Sequence, residues 1–352
     1  MTETNVVAQA QLYLDLQRPH EALRILGAAL ATNPDDSATL RTLALAHLQA
    51  DRGRPGGELA VRAATQAVTL SPHDAFAWRI LALGYSRLGR HPDARKVART
   101  ARSLAPDFWA SYTLIAEVDC NAKYITTDTH AAVAEALKLA PNEPSVLFSA
   151  ARVAQIDGRL SEARTLYEHV LALRPSDASA RNNLALISLK RGDTGKAAAG
   201  FAGVLAQNPN SELALRNLRA TGFSALRIVY FILIICVVLM NNFVRGSNDY
   251  DSSNGHLSRV VVAVLAAACV GGYLLWFRRK AGTYFGRIVR SIPATDKLLF
   301  FWAIVLAGCL GAIVGAVFVS GPDAALIYGL TAAVLVATVL VVSIINASRR
   351  RS

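Results

Sequence analysis

The chain has 352 residues, of which 53% are hydrophobic and 18% charged, and its formal net charge is +12. Its mean hydropathy of +0.32 is high for a soluble protein. Residues 1–222 hold 25 Lys and Arg against 21 Asp and Glu, whereas residues 223–352 hold 12 against 4. Because the positive excess lies in the apolar part, it indicates membrane orientation and argues against nucleic acid as the default partner.

Cysteine usage and the N-terminal sequence both argue against a secreted domain. The cysteines lie far apart, at Cys120, Cys236, Cys269 and Cys309. Their spacing predicts neither a disulfide framework nor a zinc site. The N-terminal stretch has no basic segment followed by an uninterrupted apolar run, so no cleavable signal is expected. The first part of the chain should therefore stay in the cytoplasm.

A repeat with a period of about 34 residues runs through the first 211 residues. One column of the repeat is proline, at Pro34, Pro72, Pro106, Pro141, Pro175 and Pro209. A second column, twelve residues earlier, is small: Ala22, Ala60, Ala94, Thr129, Ala163 and Ala197. A third column is all alanine: Ala10, Ala44, Ala82, Ala116, Ala151 and Ala185. Alanine at fixed places predicts helices that approach one another closely.

Each period contains two helical patterns separated by a turn. Trp78, Leu81 and Tyr85 share one face of a first helix, as a buried helix requires. The turns are marked by Gly89, Gly158 and Gly192, and the proline ends the second helix because it cannot continue it. A unit of this kind stacks on its neighbours to build a solenoid.

With these columns the sequence resembles the tetratricopeptide repeat family. Six units fit, at about 3–36, 37–74, 75–108, 109–143, 144–177 and 178–211. The second carries four extra residues in "ADRGRPGGE", and the fourth lacks the glycine turn and has Thr129 in place of alanine. The resemblance implies an all-α helical solenoid over residues 1–211.

Residues 212–225 are interpreted as a capping helix and linker. The segment "SELALRNLRA" begins like a seventh unit, but Arg219 stands in the column where every earlier unit has alanine. No helix needs to pack closely there, so this helix is expected to cover the end of the solenoid core.

Four apolar stretches follow, which predict a four-helix transmembrane region over residues 226–348. The spans are expected at about 226–244, 260–277, 298–320 and 324–346. A span needs about 20 residues, and the first two are sufficient if flanking arginines extend toward the membrane surface. Residues 349–352 form a basic tail.

The basic residues beside the spans predict one orientation. Most of them flank the expected cytoplasmic ends: Arg216, Arg219, Arg227, Arg278, Arg279, Lys280, Arg287, Arg290, Lys297 and the Arg349–Arg351 run. Only Arg245 and Arg259 lie in the other two loops. The rule that positive charge stays inside therefore predicts a multi-pass plasma-membrane protein of bacterial type, with both termini in the cytoplasm.

Small residues recur every fourth position in three of the predicted spans. They are Ala263, Ala267, Gly271, Ala303, Ala307, Gly311, Gly315, Ala325, Gly329, Ala333 and Ala337. Such ladders let backbones approach in lipid, so they are interpreted as helix-packing positions within the bundle or between two copies of the chain. The alternative is that Ala and Gly are simply common in membrane helices.

No pattern in the sequence predicts an enzyme, a metal or a cofactor. "GDTGKAAAG" lacks the first glycine and the final Ser or Thr of a phosphate-binding loop, so it is interpreted as the turn of the sixth repeat. The histidines lack ligand spacing, and the spans carry no acidic pair.

The tetratricopeptide resemblance implies that the concave groove of the first helices binds a protein or peptide. Carried over by position, the groove residues are Arg41, Phe76, Arg79, Arg87, Phe148, Arg152, Asn182, Asn183 and Lys190. Leu45 and Leu83 stand where the family's chaperone-binding members need asparagine, which puts a chaperone-tail role in doubt. The prediction is a membrane-anchored adaptor whose groove favours an acidic segment; the alternative is an accessory subunit of a transporter, channel or secretion assembly.

Overall fold

The computed structural model describes residues 3–51, 53–246, 253–284, 286, 297–315, 327, 330, 331, 333–335 and 337. No strand is present in these ranges. The chain divides into two compact units, Met1–Asp177 and Ala178–Ser352. The expectation of an all-α fold is confirmed for the described residues.

The first unit contains five helical hairpins. Its helices are α1 (Glu3–Asp15), α2 (Pro19–Thr32), α3 (Ser37–Ala50), α4 (Arg54–Leu70), α5 (Ala75–Arg87), α6 (His91–Leu104), α7 (Trp109–Ala122), α8 (Thr127–Leu139), α9 (Pro144–Ile156) and α10 (Leu160–Leu173). The first helices of successive hairpins contact one another, from α1 through α3, α5 and α7 to α9. This is the stacking that the repeat predicts.

The proline column sets where each second helix ends. The second helices of the six hairpins end at Thr32, Leu70, Leu104, Leu139, Leu173 and Gln207, each two residues before its proline. Proline disfavours helical geometry in the residue before it, so the chain leaves the helix at the same point in every unit. The regular stop keeps the second helices in step along the solenoid.

The two columns of small residues are the contacts between helices. The relative exposure of Ala10, Ala44, Ala82, Ala116 and Ala151 is 0%, and that of Ala185 is 2%. The second column, from Ala22 to Ala197, is also at 0% throughout. A larger side chain would push neighbouring helices apart, because protein interiors are close-packed. The predicted register is confirmed.

The turn inside five of the six hairpins uses one residue in the left-handed conformation. Gly89, Gly158 and Gly192 have φ of +73°, +82° and +80°, which glycine adopts without steric cost. Gln17 does the same in the first hairpin, with φ of 59°, and Lys123 in the fourth, with φ of 52°. The first and fourth units therefore make the turn without the glycine that the third, fifth and sixth units use.

Asp51 accommodates the extra residues of the second unit. Its Oδ1 accepts a hydrogen bond from the Gly53 N–H at 2.7 Å, and its Oδ2 accepts one from the Gly56 N–H at 3.0 Å. A Cβ on Gly56 would lie 2.2 Å from the Asp51 carbonyl oxygen. Glycine at position 56 is what allows α4 to begin directly against this loop.

Thr129 replaces alanine in the fourth unit because it binds a buried acid. The Thr129 hydroxyl donates to Asp119 Oδ2 at 2.6 Å, and Asp119 is fully buried. Arg95 of α6 reaches the other carboxylate oxygen, with its Nη2 at 2.6 Å. A buried carboxylate is stable only when paired and hydrogen-bonded, and these two residues supply that. Thr129 also caps α8 together with Thr126.

The second unit begins with the sixth hairpin and continues into long apolar helices. Its elements are α11 (Ala178–Lys190), α12 (Thr194–Gln207), α13 (Glu212–Gly246), α14 (Ser253–Ala281), a 3₁₀ turn (Gly282–Tyr284) and α15 (Lys297–Gly315). The boundary predicted at residue 211 differs from this division, since the sixth hairpin groups with the apolar helices.

Helix α12 explains why the sixth hairpin belongs to this unit. It contacts α11, α13 and α14, and most of its side chains are buried. A Cβ on Gly195 would lie 2.4 Å from the Lys280 Cβ, and the Thr194 and Tyr273 hydroxyls are 3.0 Å apart. The small residues of "GDTGKAAAG" therefore let α14 approach α12, which is the structural use of this turn.

The capping helix and linker expected at 212–225 are continuous with the first apolar segment. Helix α13 runs without a break from Glu212 to Gly246. No Gly–Pro or Asn–Gly break separates the two parts of the segment, so the helical hydrogen bonds continue into the apolar residues.

Two helical stretches are long and apolar enough to cross a membrane by length and composition, Glu212–Leu239 and Val260–Ala281. They contain most of the first two predicted spans. The described part of the third predicted span is the shorter apolar helix Phe300–Gly315, which ends where the described residues end. The end of the predicted span 298–320 and most of 324–346 lie outside the described residues, so the four-span arrangement stays a prediction.

The helices of the second unit pack through large side chains rather than through the small-residue ladders. Leu233, Val270, Trp302, Leu306 and Ile313 lie in one buried cluster. In the ladders Ala263 is buried and Ala303 is partly exposed, whereas Ala267, Ala307, Gly311, Gly315, Ala333 and Ala337 are exposed. No described atom lies within 4 Å of a Cβ built on Gly271, Gly311 or Gly315. Among the described residues, the contacts between these helices are therefore made by bulky residues. Ala325 and Gly329 fall outside the described residues, and a packing role for the ladders stays a prediction.

Candidate partner-binding groove

The groove of the first unit is lined by α1, α3, α5, α7 and α9. Asp74 begins α5, because its Oδ1 accepts hydrogen bonds from the N–H groups of Phe76 and Ala77. Its other oxygen accepts from Arg41 Nη1 at 2.6 Å. One carboxylate therefore caps a helix and positions a predicted groove arginine from the neighbouring repeat.

Arginines and aromatic rings alternate along one end of the groove. The Arg41 guanidinium carbon lies 5.3 Å from the Phe76 ring centroid, and that of Arg79 lies 5.5 Å from the same ring. Arg79 also lies 5.2 Å from the ring of Phe108, which the sequence prediction did not include. The two phenylalanines are 36% and 44% exposed. The result is an accessible stack of positive charge and aromatic surface.

The stacked arginines retain unused hydrogen-bonding capacity. The Nε atoms of Arg41 and Arg79 are buried without a hydrogen-bond partner among the described residues. Burial lowers the pKa of Arg79, an effect that Glu117 opposes by its charge, yet an arginine stays protonated in proteins. When a carboxylate approaches, a partly dehydrated arginine has a stronger electrostatic attraction to it than a fully hydrated surface arginine has.

Beside this stack lies a cavity of about 460 Å³. Residues of three successive repeats line it: Val7, Ala8, Gln11, Asp36, Ala38, Arg41, Thr42 and Phe76. The groove is therefore continuous across α1, α3 and α5, as the repeat prediction requires.

A second group of polar residues lies deeper in the groove, on α5, α7 and α9. Arg152 Nη2 donates to Asn121 Oδ1 at 2.8 Å, and Asn121 Nδ2 donates to Ser86 Oγ at 3.1 Å. Asn121 thus joins three repeats. This network fixes the direction of Arg152, one of the predicted groove residues.

Glu117 is the acidic residue of this group. Its side chain is accessible to solvent at the floor of the groove, but the surrounding protein reduces its hydration. That loss of hydration raises the pKa of the Glu117 carboxyl, and the charges of Arg152, Arg87 and Arg79 partly offset the rise. The arginines outnumber the acid, so the groove stays positive here.

The register contained a signal for the residues that the prediction omitted. Glu117 stands in the column of Leu45, Leu83 and Arg152, and Asn121 stands in the column of Arg87. Extending both columns through the irregular fourth unit would have placed these side chains in the groove. Phe108 follows a proline stop outside the first helices, so these columns give no signal for it.

Four of the other predicted residues differ in environment. Phe148 is partly buried, with its ring 5.4 Å from that of the fully buried Tyr167. In the second unit Asn182 is only 6% exposed, because its Oδ1 accepts from Asn217 of α13 at 3.0 Å. Asn183 donates to the Ser179 carbonyl oxygen at 2.9 Å, and Lys190 is exposed. Asn182 was expected on the groove surface, and burial against α13 corrects this.

The comparisons with known proteins agree with this architecture. Residues 154–221 match the profile of the tetratricopeptide repeat family, and residues 2–98 match that of ChAPs (Chs5p-Arf1p-binding proteins). The first of these matches agrees with the repeat found in the sequence, and the tetratricopeptide repeat fold is generally a non-catalytic scaffold for protein interaction. A search among curated proteins found no match.

Several solved structures are similar to part of this chain. The protein TTC0263 of Thermus thermophilus is 22% identical, with a TM-score of 0.47, and the match covers 53% of this chain and 100% of that protein. PilF of Pseudomonas aeruginosa is 17% identical, with a TM-score of 0.44, covering 60% and 94%. The Cut9-Hcn1 assembly of the APC/C is 19% identical, with a TM-score of 0.50, covering 61% and 42%. At these identities the likeness concerns the fold alone.

Proposed function

We propose that the chain is a membrane-anchored adaptor that binds an acidic segment of a partner protein in the groove of its first unit. The observation that carries this proposal is the stack of Arg41, Phe76, Arg79 and Phe108 in the groove, in which both rings are exposed and both arginines are partly buried. A surface with positive charges and exposed aromatic rings is complementary to an extended peptide that carries carboxylates.

Arg152 and Arg87 extend the same positive surface toward α9. A segment lying along the groove would meet charges from α3, α5 and α9 in turn. Each exposed pair contributes about 0–1 kcal/mol, so the affinity rests on several contacts made together.

The membrane part of the proposal rests on the apolar helices and on the distribution of charge. Glu212–Leu239 and Val260–Ala281 meet the length and composition of spans, and Arg278, Arg279 and Lys280 end the second. A basic end favours the cytoplasmic side. The four-span topology with both termini inside is proposed on these grounds.

Binding is tested with a fluorescent peptide of Glu and Ser on the full chain in detergent. The triple variant Arg41→Gln, Arg79→Gln and Arg152→Gln keeps hydrogen-bonding groups but removes three charges. It should weaken binding about tenfold, since three weak pairs are lost. The parent's binding should also weaken as salt rises.

The matched control removes three exposed arginines from second helices, as Arg24→Gln, Arg62→Gln and Arg164→Gln. Arg95 is unsuitable as a control because it pairs with the buried Asp119. If the control loses binding while the groove variant keeps it, the groove is not the binding surface.

Topology is tested on a variant in which all four cysteines are replaced and single cysteines are placed at Ser252 or Ser348. An impermeant thiol reagent should label position 252 in intact cells and leave position 348 unlabelled. Labelling of 348 would contradict a cytoplasmic C-terminus.

A further inference from the structure

A cavity of about 400 Å³ opens into the groove between α3, α5 and α7. Its lining residues are Leu45, Leu48, Gln49, Leu83, Ser86, Arg87, Gly89, His91, Glu117 and Asn121. Two kinds of surface meet there. Three leucines form the apolar wall, and Arg87, Glu117 and Asn121 form the polar wall.

Two of the three wall leucines, Leu45 and Leu83, occupy the same position in successive repeats. Leu45 and Leu83 are partly buried against the core of the unit, and Leu48 beside them is 6% exposed. Part of each side chain therefore remains open to the groove. Apolar surface in a concave site gains free energy when a ligand side chain covers it.

Arg87 and Glu117 balance each other in the polar wall, and the positive excess around it comes from Arg79 and Arg152. Arg87 is exposed, and the charges of Arg79, Arg87 and Arg152 all act on Glu117. Asn121 is held by Ser86 and Arg152. Three guanidinium groups near one carboxylate disfavour an added lysine or arginine and favour a ligand with acidic groups beside the pocket.

We propose that this cavity binds one apolar side chain of the partner's acidic segment, held between Leu45, Leu48 and Leu83, while neighbouring carboxylates of the segment face Arg87 and Arg152. The inference rests on the proposed function, and it adds the apolar anchor to the ligand's description. A volume of about 400 Å³ lies near the lower end of the range for ligand sites, which suits a single large side chain better than a folded element. Anchors of this kind carry much of the energy of an interface.

The experiment compares two labelled peptides on the full chain in detergent by fluorescence anisotropy. Both consist of Glu and Ser, and they differ only in a central residue, which is leucine in one and serine in the other. The parent should bind the leucine peptide about tenfold more tightly, because a side chain of that size is buried.

Leu83→Ala should remove most of this preference while the affinity for the serine peptide stays within about twofold of the parent's, because the substitution changes only the apolar wall. The matched control is Leu139→Ala, which changes a 39% exposed leucine of α8 outside the cavity. Circular dichroism checks that each variant is folded. If Leu83→Ala does not fold, Leu45→Ala takes its place, and the parent's preference between the two peptides tests the proposal without any variant.

The outcomes separate this inference from the proposed function. Equal binding of both peptides to the parent, with loss in the Arg41, Arg79 and Arg152 variant, would overturn the apolar anchor and leave the acidic-segment groove intact. Tighter binding of a peptide with central lysine would overturn the anchor and assign the cavity to a basic side chain at Glu117. No binding of either acidic peptide would overturn both proposals.

Discussion

The two units use small residues in opposite ways. In Met1–Asp177 the alanine columns lie at the helix contacts and are fully buried. Among the long apolar helices of the second unit, Leu233, Trp302 and Ile313 make the contacts, and most described ladder residues are exposed. The same residue type in a regular register therefore marks a helix contact in one region, whereas in the other most of the described ladder residues are not covered by any described helix.

The difference comes from what surrounds each set of helices. In the solenoid each inner first helix has neighbouring helices on both sides, so the side chains at the contact positions must be small. An apolar helix can leave small residues uncovered by protein without exposing polar groups. Helix α12 shows the intermediate case, because helices α11, α13 and α14 all contact it and most of its small residues are buried.

The largest effect is expected where an alanine column is filled. Ala151→Leu should destabilise the protein by about 2–3 kcal/mol through overpacking of the contact between α9 and its neighbours. Thermal unfolding of the full chain, followed by circular dichroism, measures the change. Ala28→Leu places the same side chain at an exposed site of α2 and should change stability by less than about 0.5 kcal/mol. Equal effects would contradict the assigned register.

Two glycines of the second unit should respond with opposite signs. Gly195→Ala places a Cβ against Lys280 and the Phe277 carbonyl oxygen, and should destabilise by about 1–2 kcal/mol. Gly311→Ala meets no described atom within 4 Å, so the higher helix propensity of alanine should leave stability unchanged or raise it by up to about 1 kcal/mol. Thermal unfolding in detergent distinguishes them. A loss of stability for Gly311→Ala would place a partner helix on the ladder.

Thr129→Ala should destabilise the fourth unit although it restores the repeat's usual alanine. The substitution removes a hydrogen bond of 2.6 Å to buried Asp119, and a cost of about 1 kcal/mol is expected while Arg95 still pairs with the acid. Denaturant unfolding provides the measurement, with Thr100→Ala on α6 as control. If the variant were more stable than the parent, alanine at position 129 would contribute more to stability than the hydrogen bond from Thr129 to Asp119.

The smallest effect concerns pH. The pKa of Glu117 is raised in the folded protein, so folding favours its protonated form; that stabilisation is complete below its ordinary value of 4.5 and is lost as pH rises through the raised value. Glu117→Gln should therefore be more stable than the parent near pH 7, by less than about 1 kcal/mol because the side chain is accessible, and equal to it near pH 4. Glu168→Gln serves as the exposed control, and a difference that grows toward low pH would contradict the sign.

The repeat fold could be predicted from the sequence because its determinants are local and periodic. Prolines two residues past each helix and alanines at a fixed spacing from them can be recognised without knowing which distant residues are in contact. Thr129 could not be explained in this way, since its partner Asp119 is on another helix and Arg95 is in another repeat. The burial of Asn182 likewise depends on Asn217, a residue beyond the last repeat.

The groove was predictable in outline and incomplete in detail. Arg41, Phe76, Arg79, Arg87 and Arg152 follow from their column positions. Phe108 contributes to the same stack from the loop after a proline, where side-chain direction depends on the packing of two repeats. The network through Asn121 requires hydrogen bonds between three helices, which periodicity alone does not specify.

Residues 89, 123, 158 and 192 have the same left-handed backbone conformation at equivalent turns. A segment between two of these turns can therefore be removed or duplicated with the same backbone conformation at the junction. Joining Gly89 to Tyr124 would delete α6 and α7 and leave α5 followed by α8, so the alternation of first and second helices would continue across the junction. Arg95 and Asp119 would leave together, which avoids stranding a buried acid without its partner. Shortened and lengthened forms of the solenoid can therefore be built at these turns, and the length of the groove becomes a quantity that can be varied one repeat at a time.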